Sequence, residues 1–140
     1  MGRQHQTFCA PGEKEAPLEI PASPWHVGRC VYIPFEHWEV ILDFARKQDP
    51  ERTELLERWS TTDPLKSYDL HPPATVLDAL IHFVEELARQ IERAPPLVPE
   101  PTEEIPEDLV NEEHARMLQA VNAVLGESRR LGQPYMVWVS

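Results

Sequence analysis

One helical pattern constrains the fold of this chain more than any other feature. Between Thr75 and Ile91, large apolar residues recur at three- and four-residue intervals, which places them on one side of a helix. This apolar side consists of Leu77, Leu80, Ile81, Val84, Leu87, Ala88 and Ile91. Burial of each large aliphatic side chain contributes about 1.5–3 kcal/mol before the loss of entropy is counted. We therefore predict that this helix, capped by Thr75, is central to the hydrophobic core.

The same periodicity predicts three further helices. One extends from about residue 35 to 47. The next begins at Asp49, whose side chain suits the N-cap, and Pro50 occupies the first helical position, where a missing N–H is no loss. The last begins near residue 106 and continues towards residue 131. Gly132 is placed to end it in the left-handed conformation.

Two segments near the chain ends predict strands. Residues 26–33 and 135–139 are rich in β-branched and aromatic residues. In the second segment Met136 and Trp138 face one way, and Tyr135, Val137 and Val139 face the other. An isolated strand is not stable, so we expect these two strands to pair with each other. The predicted fold class is α+β and mainly helical, with about four helices packed on a small sheet.

Prolines set the predicted domain organisation. Residues 1–24 contain four prolines and are predicted to form an extended or irregular N-terminal arm. Residues 25–140 are predicted to form a single compact domain, because a chain of 140 residues fits one hydrophobic core. Within this domain, residues 94–106 hold five prolines and predict a semi-rigid connector. Residues 60–74 are predicted to form a second connection.

The charge of the chain limits its partners. The formal net charge is −11, from 24 acidic and 13 basic residues. Such a surface repels phosphate groups and anionic lipids, so neither nucleic acid nor a membrane is an expected partner. No apolar run approaches the ~18–20 residues that a membrane span needs. No secretory signal is visible either, and the chain is predicted to be cytoplasmic.

An uninterrupted acidic stretch indicates where a partner binds. Between Arg93 and Arg116 there are seven carboxylates and no basic residue. The seven are Glu100, Glu103, Glu104, Glu107, Asp108, Glu112 and Glu113. Because opposite charges attract over a Debye length of about 8–10 Å, we predict that this stretch contacts another protein with a basic surface. Trp25 is predicted to be an aromatic anchor in the same interaction.

The cysteines and histidines indicate neither a disulfide framework nor a metal site. Cys9 and Cys30 are too few for such a framework, so we expect two free thiols, with pairing as the alternative. Together with His26 and His37 they offer ligand types that zinc accepts. Their spacing does not match the close cysteine pairs of structural zinc sites, so no metal is predicted.

The chain lacks the common catalytic motifs. It contains neither a Gly-x-Ser-x-Gly elbow nor a glycine-rich phosphate loop, so no cofactor is predicted. In the 60–74 connection, Tyr68, Asp69 and His71 offer an acid–base pair beside an aromatic residue, which is the best place for an active site if one exists. His82, with the carboxylates that follow it, is typical of a solvated helix face rather than of a di-iron site.

Three hypotheses about function follow from these patterns. The leading hypothesis is a non-enzymatic acidic protein that binds a basic partner, such as an inhibitor or immunity protein that masks a toxin. The alternative is an accessory or adaptor subunit that docks through its terminal strand, 135–139, or through its Pro-rich arm. The least favoured is a small enzyme that uses the Tyr68–His71 loop. The sequence leaves the oligomeric state open.

Overall fold

The computed structural model describes residues 4–20, 25–60, 67–100, 102–103 and 111–139. In chain order the elements are β1 (His5–Cys9), β2 (His26–Val27), β3 (Cys30–Pro34), α1 (Phe35–Gln48), α2 (Pro50–Arg58), β4 (Ser67–Leu70), α3 (Ala74–Arg93), α4 (Asn111–Leu131) and β5 (Tyr135–Val139). The predicted fold class, α+β and mainly helical with a small sheet that includes strands from both ends of the chain, is confirmed.

The strands form one five-stranded sheet with the order β2-β3-β1-β5-β4. Every neighbouring pair is antiparallel. The expected direct pairing of the strand near Cys30 with β5 is wrong, because β1 lies between β3 and β5. β1 was not predicted, because it falls inside the N-terminal arm, whose four prolines predicted an extended or irregular segment. Phe8 fixes the register, opposite Val31 on one side and Val137 on the other.

The strand predicted at 26–33 is a hairpin made of β2 and β3. Gly28 lies in its turn with φ at 60°, a left-handed conformation that glycine adopts without strain. Cys30 at the start of β3 is the register partner of Cys9, and the two form a disulfide. The expectation of two free thiols is therefore wrong. The alternative, pairing of the two cysteines, is what the structure has, and it depends on β1, which brings Cys9 beside Cys30 and was not predicted.

Local sequence explains the start of α2. Asp49 precedes the helix in an extended conformation, and its carboxylate accepts a hydrogen bond from the Arg52 backbone N–H at 3.1 Å. Pro50 occupies the first turn. Both predictions are confirmed. The cap satisfies one of the N–H groups that have no partner inside the helix.

The ends of α3 and α4 show where capping rules succeed and fail. α3 begins at Ala74 with Pro73 at the N-cap and no side-chain cap, so the predicted cap at Thr75 is wrong. Pro73 already sets the backbone for the helix to begin one residue earlier. The predicted start of α4 near Pro106 lies outside the described residues. Its predicted end is confirmed, since Gly132 follows Leu131 with φ at 62°.

The helices cover one face of the sheet. α3 packs on α4, and α1 and α4 pack on the strands. The sheet residues turned towards the helices are buried: Gln6, Phe8, Val31, Ile33, Tyr135, Val137 and Val139. We call this set the covered face. Two hydrogen bonds tie the covered face to the end of α2: Gln6 Nε2 donates to the Ser60 carbonyl at 2.9 Å, and the Tyr135 hydroxyl donates to the Trp59 carbonyl at 2.6 Å.

β4 was not predicted. It lies inside the 60–74 segment assigned to a connection, and it forms the edge of the sheet beside β5. β5 is therefore hydrogen-bonded on both sides, to β1 and to β4. This position leaves β5 without a free edge to offer to another chain.

Candidate protein-binding surfaces

The acidic stretch is described in part. Glu100, Glu103 and Glu112 are exposed, and their contact with a partner stays a prediction. Glu104, Glu107 and Asp108 lie outside the described residues. Glu112 stands in the first turn of α4, where a carboxylate is favoured by the positive end of the helix dipole.

Glu113 differs from its neighbours in the stretch. It is half-buried and forms an ion pair with Arg116 one turn along α4, at 2.5 Å between Oε1 and Nη1. Its charge is therefore offset inside the chain, so Glu113 is a weaker contact for a partner than Glu112, which precedes it.

Arginines elsewhere are also engaged with carboxylates of the same chain. The pairs are Arg29 with Glu127, Arg46 with Asp43 and Glu57, Arg52 with Asp49 and Glu86, Arg89 with Glu85, Arg129 with Asp78, and Arg130 with Glu15 and Glu127. Most of these pairs are exposed to solvent and each contributes little to stability. Their consequence is electrostatic, because each of these arginines is matched by a carboxylate of the same chain, while the net charge of −11 remains.

Arg29 is the most enclosed of these arginines, with 11% of its side chain exposed. It donates to the carbonyls of Pro11 and Ala16 and binds Glu127 at 2.7 Å, so it fastens the segment after β1 to α4. Hydrogen bonds from Arg130 and then from Arg29 lower the pKa of Glu127 to about 2. The adjoining pocket of about 420 Å³ is lined by this already paired network, which leaves no free cation there for an anionic ligand.

Trp25 precedes the β2–β3 hairpin. It is half-buried, and its side chain packs against the hydrophobic core. Its carbonyl accepts a hydrogen bond from the Tyr32 backbone N–H at 2.7 Å. Part of the ring is therefore already covered by the protein itself. The role of Trp25 as an anchor stays a prediction.

The other face of the sheet carries a second candidate surface. Strand alternation and register place on it His5, Thr7, Cys9, Val27, Cys30, Tyr32, Pro34, Asp69, Met136 and Trp138. We call this set the open face. None of these described residues belongs to the hydrophobic core. The alternation in β5 had predicted that Met136 and Trp138 share one side of the strand, but without β1 the rest of this face could not be predicted.

The open face is apolar and partly exposed. Val27 is 72% exposed and Met136 is 39% exposed. Tyr32 and Trp138 are half-buried, and they stand opposite Thr7 on either side of β1. Asp69 is exposed beside Met136. Such a face suits contact with another macromolecule, because antiparallel sheets that face water usually present polar residues there.

A buried histidine pair lies on the covered side, at the first turns of α1 and α4. His37 Nδ1 and His114 Nε2 are 3.1 Å apart, and both side chains are fully buried. The other ring nitrogen of His114 has no hydrogen-bond partner. Burial, and then the neighbouring His37, lower the pKa of His114 to about 4. His114 is thus neutral at physiological pH, and the buried pair is closed to a substrate.

Sequence reasoning missed this pair for a simple reason. The two histidines are 77 residues apart, and neither sits in a motif. His37 had been considered only as a zinc ligand with Cys9 and Cys30. Those cysteines are joined to each other, so their thiolates are not available to a metal. Over the described ranges, no three His, Cys, Asp or Glu side chains are grouped to hold a metal ion.

The residues proposed for catalysis lie at the sheet edge. Asp69 belongs to β4 and His71 follows it, and both are exposed. The side chain of Tyr68 lies outside the described part of the structure. An exposed acid and base lack the enclosure that shapes most active sites, and the enzymatic use of this segment stays a prediction.

Among the described helices, none combines the length and the apolar character that a bilayer span requires.

No protein-family model, curated protein or solved structure matches this chain. Its function is therefore argued from the two surfaces alone.

Proposed function

We propose that this chain is a non-enzymatic binding protein whose negative charge draws a basic protein partner, in the manner of an inhibitor or an immunity protein. The charge of −11 and the acidic stretch motivate the proposal. The observation that carries it is the pattern of ion pairs, in which arginines along the chain are held by its own carboxylates. Exposed acids such as Glu103 and Glu112 have no such partner in these ion pairs.

The physical consequence is a long-range field of one sign. Opposite charge on a partner raises the association rate constant from about 10⁵–10⁶ M⁻¹s⁻¹ towards 10⁸ M⁻¹s⁻¹ or more at low salt. Salt screens this field, since the Debye length shrinks from about 30 Å at 0.01 M to about 8 Å at 0.15 M. A basic partner therefore associates much faster at low ionic strength.

The experiment first identifies the partner and then measures how fast it associates with the protein. The intact protein is used to capture its partner from its native cells, and association is then measured by stopped flow between 10 and 500 mM salt. We expect the logarithm of the association rate constant to fall steeply as the salt concentration rises. An association rate indifferent to salt, or a partner without a basic patch, rejects the proposal.

Charge-reversal variants show which part of the surface attracts the partner. Glu103→Lys and Glu112→Lys change the acidic stretch, and Glu54→Lys makes the same change of charge on the exposed side of α2. If the stretch meets the partner, the first two variants slow association several-fold more than Glu54→Lys does. Equal effects from all three variants assign the attraction to net charge and not to the stretch.

The adaptor hypothesis keeps one specific support. The Asn111 side chain donates to the carbonyls of Ile91 and Ala94 and accepts from the Leu97 N–H, which fixes the start of the Pro-rich connector. Beyond it Pro95, Pro96 and Pro99 are exposed, as extended-peptide docking requires. Docking by strand addition at β5 has no such support, since both its edges are paired. A Pro96→Ala/Pro99→Ala double variant that loses an assembly partner but keeps its fold would favour the adaptor.

A further inference from the structure

The open face brings together apolar groups that the fold itself does not use. Along one row Tyr32, Thr7 and Trp138 stand side by side, and along the next Val27 and Met136 flank the Cys9–Cys30 disulfide. The exposed large hydrophobic residues in the described part of the structure are Val27 and Met136, and both lie on this face. Exposed apolar area is therefore concentrated here and is not scattered over the surface.

Thr7 supplies an independent sign that something binds. Its side chain is fully buried between the strands that carry Tyr32 and Trp138, and its hydroxyl has no hydrogen-bond partner. A buried hydroxyl without a partner costs free energy, and native proteins rarely keep one without a reason. Because Thr7 lies on the open face and away from the core, the missing hydrogen bond points to a group that comes from outside the chain.

Charge decides which occupant suits the face. A second copy would bring two chains of net charge −11 together, and Asp69 at the edge of each open face would add to the repulsion. A basic protein meets the opposite situation. Arginine and lysine side chains combine an apolar stem, which covers Val27 and Met136, with a cation that stacks on aromatic rings and pairs with a carboxylate.

We propose that the open face is the contact patch on which a basic protein partner docks, with arginine or lysine side chains over Tyr32 and Trp138 and their cationic ends at Thr7 and Asp69. This inference rests on the proposed function, since it names where the basic partner is held. The acidic stretch accelerates the encounter, and the open face sets the lifetime of the complex.

Site-specific photo-crosslinking in the native cells tests the placement. A photoreactive phenylalanine analogue replaces Val27 or Met136, which are exposed and outside the core. The same analogue at Glu103 and Glu112 samples the acidic stretch, and at Ala79, exposed on α3, it serves as the control. Adducts are identified by mass spectrometry.

The expected result is an adduct with one basic protein at Val27 and at Met136 that the Ala79 position does not give. Two copies of the chain joined through the open face overturn the proposal, and so does the absence of adducts above the control. If Glu103 and Glu112 capture a basic protein while Val27 and Met136 do not, the proposed function survives and this inference fails. If all four positions capture nothing, both fail.

Affinity measurements with the purified partner that cross-linking identifies complete the test. Val27→Ser and Met136→Ser are each expected to weaken the affinity at least about fivefold, chiefly through faster dissociation. Ala79→Ser is expected to leave the affinity unchanged. Circular dichroism spectra and unfolding midpoints that match the parent protein show that the variants are folded. Unchanged dissociation rates for both open-face variants reject the docking site.

Discussion

The covered face and the open face of the sheet come from alternate residues of the same strands, and they follow different rules. On the covered face Phe8 stacks edge-on against Trp38 with ring centroids 5.5 Å apart, and both residues are buried. On the open face its neighbour Thr7 has an unpaired hydroxyl, and Met136 is partly exposed. One face is packed by the chain itself, and the other has aromatic and apolar groups in excess of what the fold uses.

Adjacent residues of one strand therefore have different roles, because one packs in the core and the next lies on the face available to a partner. A shift of register by a single residue exchanges the two faces completely. Substitutions on the covered face should therefore cost folding free energy, and substitutions on the open face should cost binding.

Phe8→Ala should destabilise the protein by about 3–5 kcal/mol, because it removes a buried aromatic ring and leaves a cavity beside Trp38. Urea unfolding followed by tryptophan fluorescence measures the change. Val27→Ser on the open face is the control and should change the free energy of unfolding by no more than about 0.5 kcal/mol. Similar losses of unfolding free energy in both variants would show that the two faces contribute equally to stability, contrary to the prediction.

Removal of the disulfide should cost about 3 kcal/mol, because Cys9 and Cys30 close a loop with a sequence separation of 21 residues. The Cys9→Ala/Cys30→Ala variant and the reduced parent protein should show similar urea midpoints, both below that of the oxidised parent. The disulfide lies on the open face, so this result marks a place where that face also supports the fold. An oxidised parent no more stable than the variant contradicts the prediction.

Acidification from pH 7 to pH 5 should lower the free energy of unfolding by about 2 kcal/mol through His114, on the covered side of the sheet. Burial and His37 lower the pKa of His114 from 6.5 to about 4, so the folded state favours the neutral ring. This contribution is fully present above pH 6.5, and it is lost as the pH falls towards 4, because the unfolded chain takes up the proton first. Unfolding free energies measured at intervals across this range report the slope.

His114→Leu provides the comparison for the pH effect. The variant removes the titrating ring, so its unfolding free energy should depend less on pH between 7 and 5 than that of the parent. The slope is compared, and not the absolute stability, because the new side chain also repacks the start of α4. An identical slope in parent and variant would assign the acid sensitivity to other groups.

Thr7→Val should stabilise the protein by about 1 kcal/mol, because it replaces an unpaired buried hydroxyl with a methyl group of similar size. Thr7→Ser, which keeps the hydroxyl and loses the methyl group, should be less stable than the parent. Urea midpoints decide the order. If Thr7→Val is less stable than the parent protein, the hydroxyl has a partner within the fold. The open face then loses an argument for binding.

The helical half of the fold was predictable because its signals are local. The apolar stripe of α3, the Asp49 cap and the Gly132 stop each depend on residues within a few positions of one another. The conformation at these places follows from short-range contacts. Tertiary packing then preserved it.

The sheet was less predictable because its contacts are remote. β1 has the polar residues His5, Gln6 and Thr7 beside a single phenylalanine and precedes a run of prolines, so its own sequence does not indicate a central strand. Only pairing with β3 and β5 makes it one. The disulfide and the open face were missed with it, since both require β1 in place. The His37–His114 pair likewise depends on a contact between distant helices.

The central position of β1 also governs how the molecule is made. Phe8 pairs with Val137, so β1 leaves the ribosome long before β5, the strand that pairs with its second edge. Until β5 emerges, one edge of β1 has no neighbour, and such an unpaired edge invites other nascent chains to add to it. β3 appears much earlier and, once oxidised, is joined to β1 by the Cys9–Cys30 bond. Synthesis in an oxidising setting would therefore join β1 to β3 before β5 emerges.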